Sequence, residues 1–400
     1  MKLTHLVVAA SLFGSTALVA NSAAADVKVG LLGGISGPIA AMAPPMIDAA
    51  KLAFAQVNEQ GGVLGGQKIV TVVGDSACNP QNGVDAASKL VNVEQVTALV
   101  GPHCSGPVIA VANSVAAPAG VALITPSGTS PEITGLDDKG TVYRTVPSDD
   151  YQGRALARTL VAQGTKNVAV AYLNNDYGSG LAGAFKAEFE TQGGKISGYA
   201  AHEEGKASYR TNLAELSRGG ADTLVIFDYG DGSGLTILRQ ALENGFFTNF
   251  VGGDGMKSDA PIKELGAENL TTFVASSPMG EASSSLDSFN KAFTAAGGSA
   301  DAIFVANSYD AAFVLALAIE KAGGDKAKVP AAISAVSDGK GEAVAAGEWK
   351  KAVELIKAGK EIDYKGAAGD LNFDANGDVP GAYGLFSIDG ESFKLQTPMN

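Results

Sequence analysis

Cysteine, histidine and tryptophan are scarce in this chain, with two Cys, three His and one Trp among 400 residues. So few sulfur and imidazole groups cannot assemble a cysteine–histidine metal centre, and no metal is expected. Basic residues are also in deficit, 29 against 42 acidic ones for a net charge of -13. An acidic surface repels phosphate backbones, so no nucleic-acid partner is expected. Long apolar runs are missing beyond the N-terminus. Ala311–Ile319 is apolar but bracketed by Asp310 and Glu320, and reads as a core helix, not a membrane span. Catalytic signatures are missing too. There is no G-x-S-x-G elbow, no P-loop and no complete G-x-G-x-x-G fingerprint, so neither an enzyme nor a bound cofactor is expected.

What is present begins with an export leader. Lys2 supplies a positive start, Leu6–Ala20 an apolar stretch too short to span a bilayer, and Ala23-Ala24-Ala25 a small-residue cleavage site. The expectation is cleavage between Ala25 and Asp26. No Cys lies near that point, so no lipid anchor is expected, and a Gram-negative periplasm is the expected compartment. In an exported chain a lone cysteine pair usually bonds, which predicts a Cys78–Cys104 disulfide. It would close a loop of about 27 residues.

The remaining residues exceed what one core usually organises, so two lobes are expected. In the first series, strands at Val27–Leu32, Lys68–Val73, Thr97–Val100 and Val121–Thr125 alternate with helices at Met46–Asn58, Gln81–Val91 and Pro107–Ala116. Continuous Val/Ile/Leu strands between helices indicate parallel sheets covered on both faces. Thr141–Val146 with Pro147-Ser148-Asp149-Asp150 reads as a connector. A second series has strands at Asn167–Leu173, Ile196–Ala201, Asp222–Phe227 and Phe250–Gly253, with helices near Asp150–Gln163, Gly180–Gln192, Tyr209–Ser217 and Gly234–Glu243. Helices at Ser285–Ala296, Ile303–Lys321 and Glu348–Ala358 follow, expected to cover the first lobe's sheet. A tail hairpin turns at Asp389-Gly390.

Two Gly-rich loops, Gly30–Gly37 and Gly230–Gly234, follow strands where α/β folds place ligands. His103 beside Cys104 suggests a thiol nucleophile only if Cys104 is free. Asp374-Ala375-Asn376-Gly377-Asp378 imitates half a calcium loop, but its Gly comes early and the closing Glu is missing, so a β-turn is expected. Small hydroxyl residues cluster at strand ends. Ser105 sits near a helix N-terminus, as an N-cap, a ligand contact or both. Thr125-Pro126-Ser127-Gly128-Thr129-Ser130-Pro131 follows the next strand, and the two loops together can offer hydroxyls and amides to a carboxylate. Asp254, between glycines at a strand end, is either a turn residue or a partner for an α-ammonium. Tyr177 is either a surface ring or a cover for a ligand's apolar body.

In this order, the residues resemble the branched-chain amino-acid-binding proteins of ABC importers, the leucine/isoleucine/valine type. The resemblance covers essentially all of the mature chain. It is carried by Gly33-Gly34-Ile35-Ser36-Gly37-Pro38, Asn58–Gly66, Asp75-Ser76-Ala77-Cys78-Asn79-Pro80, Gly101–Ser105, Ile124–Pro131, Asp176-Tyr177-Gly178, Ile237-Leu238-Arg239-Gln240-Ala241, and Phe373-Asp374 with Gly377-Asp378. Any one piece is weak; the ordered set is specific. The resemblance implies an α/β, two-lobed periplasmic-binding-protein fold of type I, each lobe a mainly parallel sheet flanked by helices, with three hinge crossovers. Residues 26–147 plus 278–360 would form lobe 1, and 148–277 plus 361–400 lobe 2, after a signal peptide at 1–25.

Carried over by position, Ser105 and Thr129 would hold an α-carboxylate. The Ser127 carbonyl and the Asp254 carboxylate would take the α-ammonium, and Tyr177 would close from the opposite lobe. The cysteine pair also fits the family pattern. Asp254 stands where leucine-type proteins have the longer Glu, Met42 stands where an aromatic commonly packs the side chain, and Tyr229 matches its Tyr only by a one-residue shift. Tyr309 matches a family aromatic near the pocket, and Asp228 or Asp231 would admit polar side chains. The implied function is capture of a free, neutral aliphatic amino acid for permease subunits driven by cytoplasmic ATPases, by a monomer. A binding protein that passes ligand state to a signalling receptor would share the pocket. A periplasmic hydrolase is the enzyme alternative, and amides, ureas or aromatic acids are alternative ligands.

Overall fold

Among the described residues, twelve of the fourteen strands fall into two sheets, and the chain passes between those sheets three times. The computed structural model describes residues 25–399. Apart from Ala25, the expected leader lies outside the described residues. No described helix is long and apolar enough to cross a membrane.

The first sheet contains β1 (Val27–Gly33), β2 (Ile69–Asp75), β3 (Leu99–Val100), β4 (Leu123–Thr125) and β5 (Val142–Arg144), in the order β2-β1-β3-β4-β5, all parallel. β5 lies inside the stretch expected to be a connector. Its Val142, Tyr143 and Arg144 are all buried, and they pair with Leu123, Ile124 and Thr125. The second sheet contains β6 (Asn167–Leu173), β7 (Lys195–His202), β8 (Thr223–Phe227), β9 (Asn249–Gly252) and β10 (Phe273–Met279). Its order is β14-β13-β10-β9-β8-β6-β7, with parallel pairing up to β10. β10 is not among the expected strands of the second series, the last of which is Phe250–Gly253.

Two further strands, β11 (Glu342–Ala345) and β12 (Ile362–Lys365), form a small parallel pair beside the first lobe. The expected hairpin is present as β13 (Ala382–Asp389) and β14 (Ser392–Met399), turning at Gly390 with φ +62°. It adds antiparallel strands to the edge of the second sheet through β10.

Helix Val305–Lys321 covers the first sheet. It is buried from Asn307 to Glu320, and its residues share one core with Val27, Val29 and Leu31 of β1. Burial on every face follows from its composition, since from Ala311 to Ile319 there is no polar side chain. The same core takes in Ile362, Tyr364, Leu371 and Val379. The third crossing therefore falls near Pro380–Gly381 and not at 361, and we place the lobe boundary there. The crossings are tied to one another, with Tyr383 donating its hydroxyl to the Pro147 carbonyl at 3.1 Å. Asn307 and Thr145 exchange hydrogen bonds at 2.6 and 2.8 Å.

Candidate functional site

The site starts from a glycine. At Gly101, just after β3, φ is +96° and a Cβ would lie 2.1 Å from the Leu32 carbonyl oxygen. Only glycine turns the chain there, and the turn sends Pro102–Cys104 into the helix that begins at Ser105. The Cys78–Cys104 disulfide, Cα–Cα 5.4 Å, pins this segment to the loop after β2. With Cys104 bonded, the thiol-nucleophile reading of His103-Cys104 falls away.

The loop after β4 is stitched onto this segment side chain by side chain. Thr125 Oγ1 donates to the Pro102 carbonyl at 2.6 Å, and Ser127 Oγ donates to the His103 carbonyl at 2.8 Å. Ser105 Oγ accepts the Thr129 and Ser130 amides at 3.2 and 3.1 Å. Its acceptor capacity is thus used within the protein, which leaves its hydroxyl proton available to a ligand oxygen. Arg144, fully buried, holds the far side. It donates to the Thr129 and Ser130 carbonyls, both at 3.0 Å, and pairs through Nε with Asp378 at 2.7 Å. The Asp374–Asp378 segment is the expected turn, with Gly377 donating to the Asp374 carbonyl at 3.1 Å. Its job is to present Asp378 to Arg144 and to Thr134, 2.6 Å away.

From the second lobe, Asn175 caps helix Asp176–Thr191 and so fixes Tyr177 in its first turn. Tyr177 donates to Asp254 Oδ1 at 2.8 Å and accepts the Gly255 amide at 3.0 Å. A Cβ at Gly255 would lie 2.6 Å from the Asp228 carbonyl oxygen and 3.0 Å from the Tyr177 hydroxyl, so this close approach needs glycine. The Tyr229 ring stacks on Tyr177 at 5.1 Å. Gln152 Nε2 also donates to Asp254 Oδ1, at 3.1 Å, and to Ser276 at 2.9 Å.

One small enclosed cavity, about 20 Å³, gathers these groups. Ser105, Ser127, Met42, Met46, Ile39 and Phe304 face it from the first lobe, and Tyr177, Tyr229 and Asp254 from the second. Around it the lobes touch: a Cβ at Gly106 would be 2.9 Å from Asp176, at Gly180 2.8 Å from Pro131, and at Gly232 3.1 Å from Pro38.

The electrostatics of this site are set by buried acids. Asp254 and Asp149 are both buried, and burial raises the pKa of each. The charge of Asp254 raises Asp149 further, whereas hydrogen bonds from Tyr177 and Gln152 pull Asp254 part of the way back. Neither Asp149 oxygen has a hydrogen-bond partner in good geometry, and neither has Thr129 Oγ1 or Gln152 Oε1. The Thr129 hydroxyl is nonetheless near enough to oppose the rise at Asp149. Unpartnered acceptors around a buried carboxylate pair favour a cation among them.

Seven of the eight expected ligand residues are thus brought to this region: Ser105, Ser127, Thr129, Tyr177, Asp254, Met42 and Tyr229. Tyr309 is not. Its ring packs in the first lobe's core between Phe289 and Phe313, with its hydroxyl on Gln56. Asp228 also does not line the cavity. It is held by His202 Nε2 and Ser233 Oγ, both at 2.6 Å, so it is not free to admit a polar side chain. Asp231 keeps two buried, unpartnered oxygens near the interlobe contact. Asp149, Gln152 and Arg144 were missed by sequence reasoning. The only available signal was their place in an oddly polar run leading into a helix.

Comparison with known proteins agrees with this geometry. Residues 46–391 match the family described as "Receptor family ligand binding region". The leucine-, isoleucine-, valine-, threonine- and alanine-binding protein of Pseudomonas aeruginosa is 32% identical over 319 residues, covering 79% of this chain and 84% of that protein. A Leu/Ile/Val-binding protein of Rhizobium johnstonii is 33% identical over 323 residues, with the same coverages of 79% and 84%. Among solved structures, a leucine-binding protein of Thermotoga maritima superposes with TM-score 0.80 at 24% identity, covering 94% of this chain and 99% of that one. The isoleucine-bound substrate-binding protein of a branched-chain amino acid transporter from Streptococcus pneumoniae gives TM-score 0.78 at 22% identity, covering 94% and 100%.

Proposed function

From the chain's membership in the receptor-type ligand-binding family, within its leucine/isoleucine/valine-binding branch, we propose that it captures a free amino acid in the periplasm for an ABC importer. The single observation that carries the reading is a two-sided site. The hydroxyls of Ser105 and Thr129 on one lobe, the Ser105 proton left free because its oxygen accepts the Thr129 and Ser130 amides, face a carboxylate, Asp254, on the other. An α-carboxylate takes the first set and an α-ammonium the second, so a simple acid or a simple amine satisfies only half of the site. Carried over from the relatives, the roles are Ser105 and Thr129 for the carboxylate, and the Ser127 carbonyl and Asp254 for the ammonium. Tyr177 and Tyr229 form the lid.

Met42, Met46, Ile39 and Phe304 supply an apolar wall for the side chain, which favours a neutral aliphatic one. Because the lobes meet around a cavity of about 20 Å³, entry and release require them to part at the crossings. A ligand joining both lobes then favours the closed arrangement. Delivery of that closed form to permease subunits, and cleavage after Ala25, belong to the same proposal. No step of it requires catalysis.

A thermal-shift screen of the twenty amino acids tests it, since a ligand that binds only the folded protein raises its melting temperature. Stabilisation by leucine, isoleucine, valine or alanine is the expected result. Stabilisation by none of the twenty would refute the reading.

A further inference from the structure

A second space between the lobes lies against the crossings. It has a volume of about 510 Å³, and Pro147, Pro278 and Pro380, one from each crossing, all line it. That size is within the range of small-molecule sites, roughly 300–1,000 Å³. Its walls come from both lobes. Lys257 and Phe386 belong to the second; Asn290, on helix Ser284–Ala295, and the loop Ala300–Phe304 belong to the first.

Lys257 is the unusual group here. Its ammonium lies 4.8 Å from the centre of the Phe386 ring and 5.8 Å from that of Phe393. Among the described residues it has neither an ion-pair partner nor a hydrogen-bond acceptor. Burial lowers its pKa, while the charges of Asp301, which with Glu281 and Asp370 also lines the space, and of Asp259 oppose this. A partly buried cation without a counter-ion is costly unless something anionic completes it. From the first lobe, the Asn290 Oδ1 is buried and likewise has no partner. An amide and an ammonium that line one space from different lobes are complementary to a carboxylate whose body carries a hydrogen-bond donor.

We propose that this hinge cavity is a second binding site, for a small organic carboxylate held between Lys257 and Asn290. It is separate from the amino-acid cleft, although Phe304 forms a wall of both. Because its two anchors lie on different lobes, an occupant holds the lobes at the angle seen here and reports on closure.

Saturation-transfer NMR with glycolate, lactate and malate, each a carboxylate bearing a hydroxyl donor, tests it on the full mature protein and on three variants. The expected result is binding of at least one acid by the wild type, weakened about tenfold or more by Lys257→Met, as for loss of a charge-assisted contact. Asn290→Leu, on the other lobe, weakens it as well, and Asp254→Ala leaves it unchanged. No binding of any of the three acids overturns the proposal, and so does binding that Lys257→Met leaves intact. Binding lost in Asp254→Ala also overturns it, because that places the acid in the amino-acid cleft. The amino-acid screen is read separately, so either site can fail without the other.

Discussion

Tyr177 and Asp254 meet across a 2.8 Å hydrogen bond in which the phenol donates to the carboxylate, while the phenol oxygen takes the Gly255 amide. The carboxylate is thereby aimed from behind, and its second oxygen is left for a partner from the cavity. Asp254 is one methylene shorter than the Glu implied by the resemblance, and this backing from Tyr177 and Gln152 fixes where the shorter side chain ends.

Replacing Asp254 with Ala is expected to remove most amino-acid binding and leave the fold intact. Loss of one partner of a buried, hydrogen-bonded charge pair costs about 2–5 kcal/mol, or about 30-fold and upward in affinity. Calorimetry with the best amino acid from the screen, alongside far-UV circular dichroism, checks both halves. Unchanged affinity would remove Asp254 from the site.

Ser105→Ala is expected to act on stability as well as on binding. It strands the Thr129 and Ser130 amides, both in buried residues, without their acceptor. Each unsatisfied buried donor costs about 1–3 kcal/mol. Urea unfolding of the ligand-free variant reads this directly. A midpoint equal to wild type would mean that the loop finds another acceptor.

The Asp149–Asp254 pair predicts that affinity depends on pH. Both pKa values are raised, so in the free protein the pair retains a proton above the usual carboxylate range. An arriving ammonium favours the ionised form and expels that proton, so affinity rises with pH across this range. In Asp149→Asn the like-charged neighbour is gone, and the rise shifts to lower pH. Calorimetry in buffers of different ionisation enthalpy counts the released protons; zero release by the wild type would contradict the coupling.

His103 supplies a test on stability alone. Burial lowers its pKa from 6.5 to about 4, and its Nδ1 has no partner. The unfolded chain therefore takes up a proton below 6.5 that the folded chain refuses until about 4, and stability is lost as pH falls between the two. The full effect is about 3 kcal/mol at one pKa unit per 1.36 kcal/mol. For His103→Phe, the melting temperature relative to wild type should climb as pH drops through this window. A constant difference would show that His103 does not titrate there.

The sequence makes the sheets legible because parallel strands buried on both faces leave continuous apolar runs, such as Val168–Ala171 within β6. β5 was read as a connector because it is only three residues long and ends in Arg144, a residue type that seldom sits inside a core. That Arg is tolerated because Asp378, 234 residues away, pairs with it. No local pattern announces such a partner. Asp149 was hidden in the same way, since Ser148-Asp149-Asp150 is ordinary helix-start chemistry and Ser148 does cap the helix. Tyr309 erred in the opposite direction. Matching by position brought it near a pocket, whereas the helix that carries it turns it into the first lobe's core.

The three crossings also dictate an order of assembly. By Met279 the chain has supplied β6 to β10, five of the seven strands of the second sheet. The first sheet is also complete by then, but the helix that covers it, Val305–Lys321, has yet to emerge. A chain threading out from its N-terminus can cover β1 early with helix Ala43–Glu59, but it leaves the sheet face at β3 and β4 without its late helix until Val305–Lys321 emerges. The lobe that is begun first therefore waits on segments made after most of the second, and in that interval it is the part of the molecule most dependent on protection from aggregation.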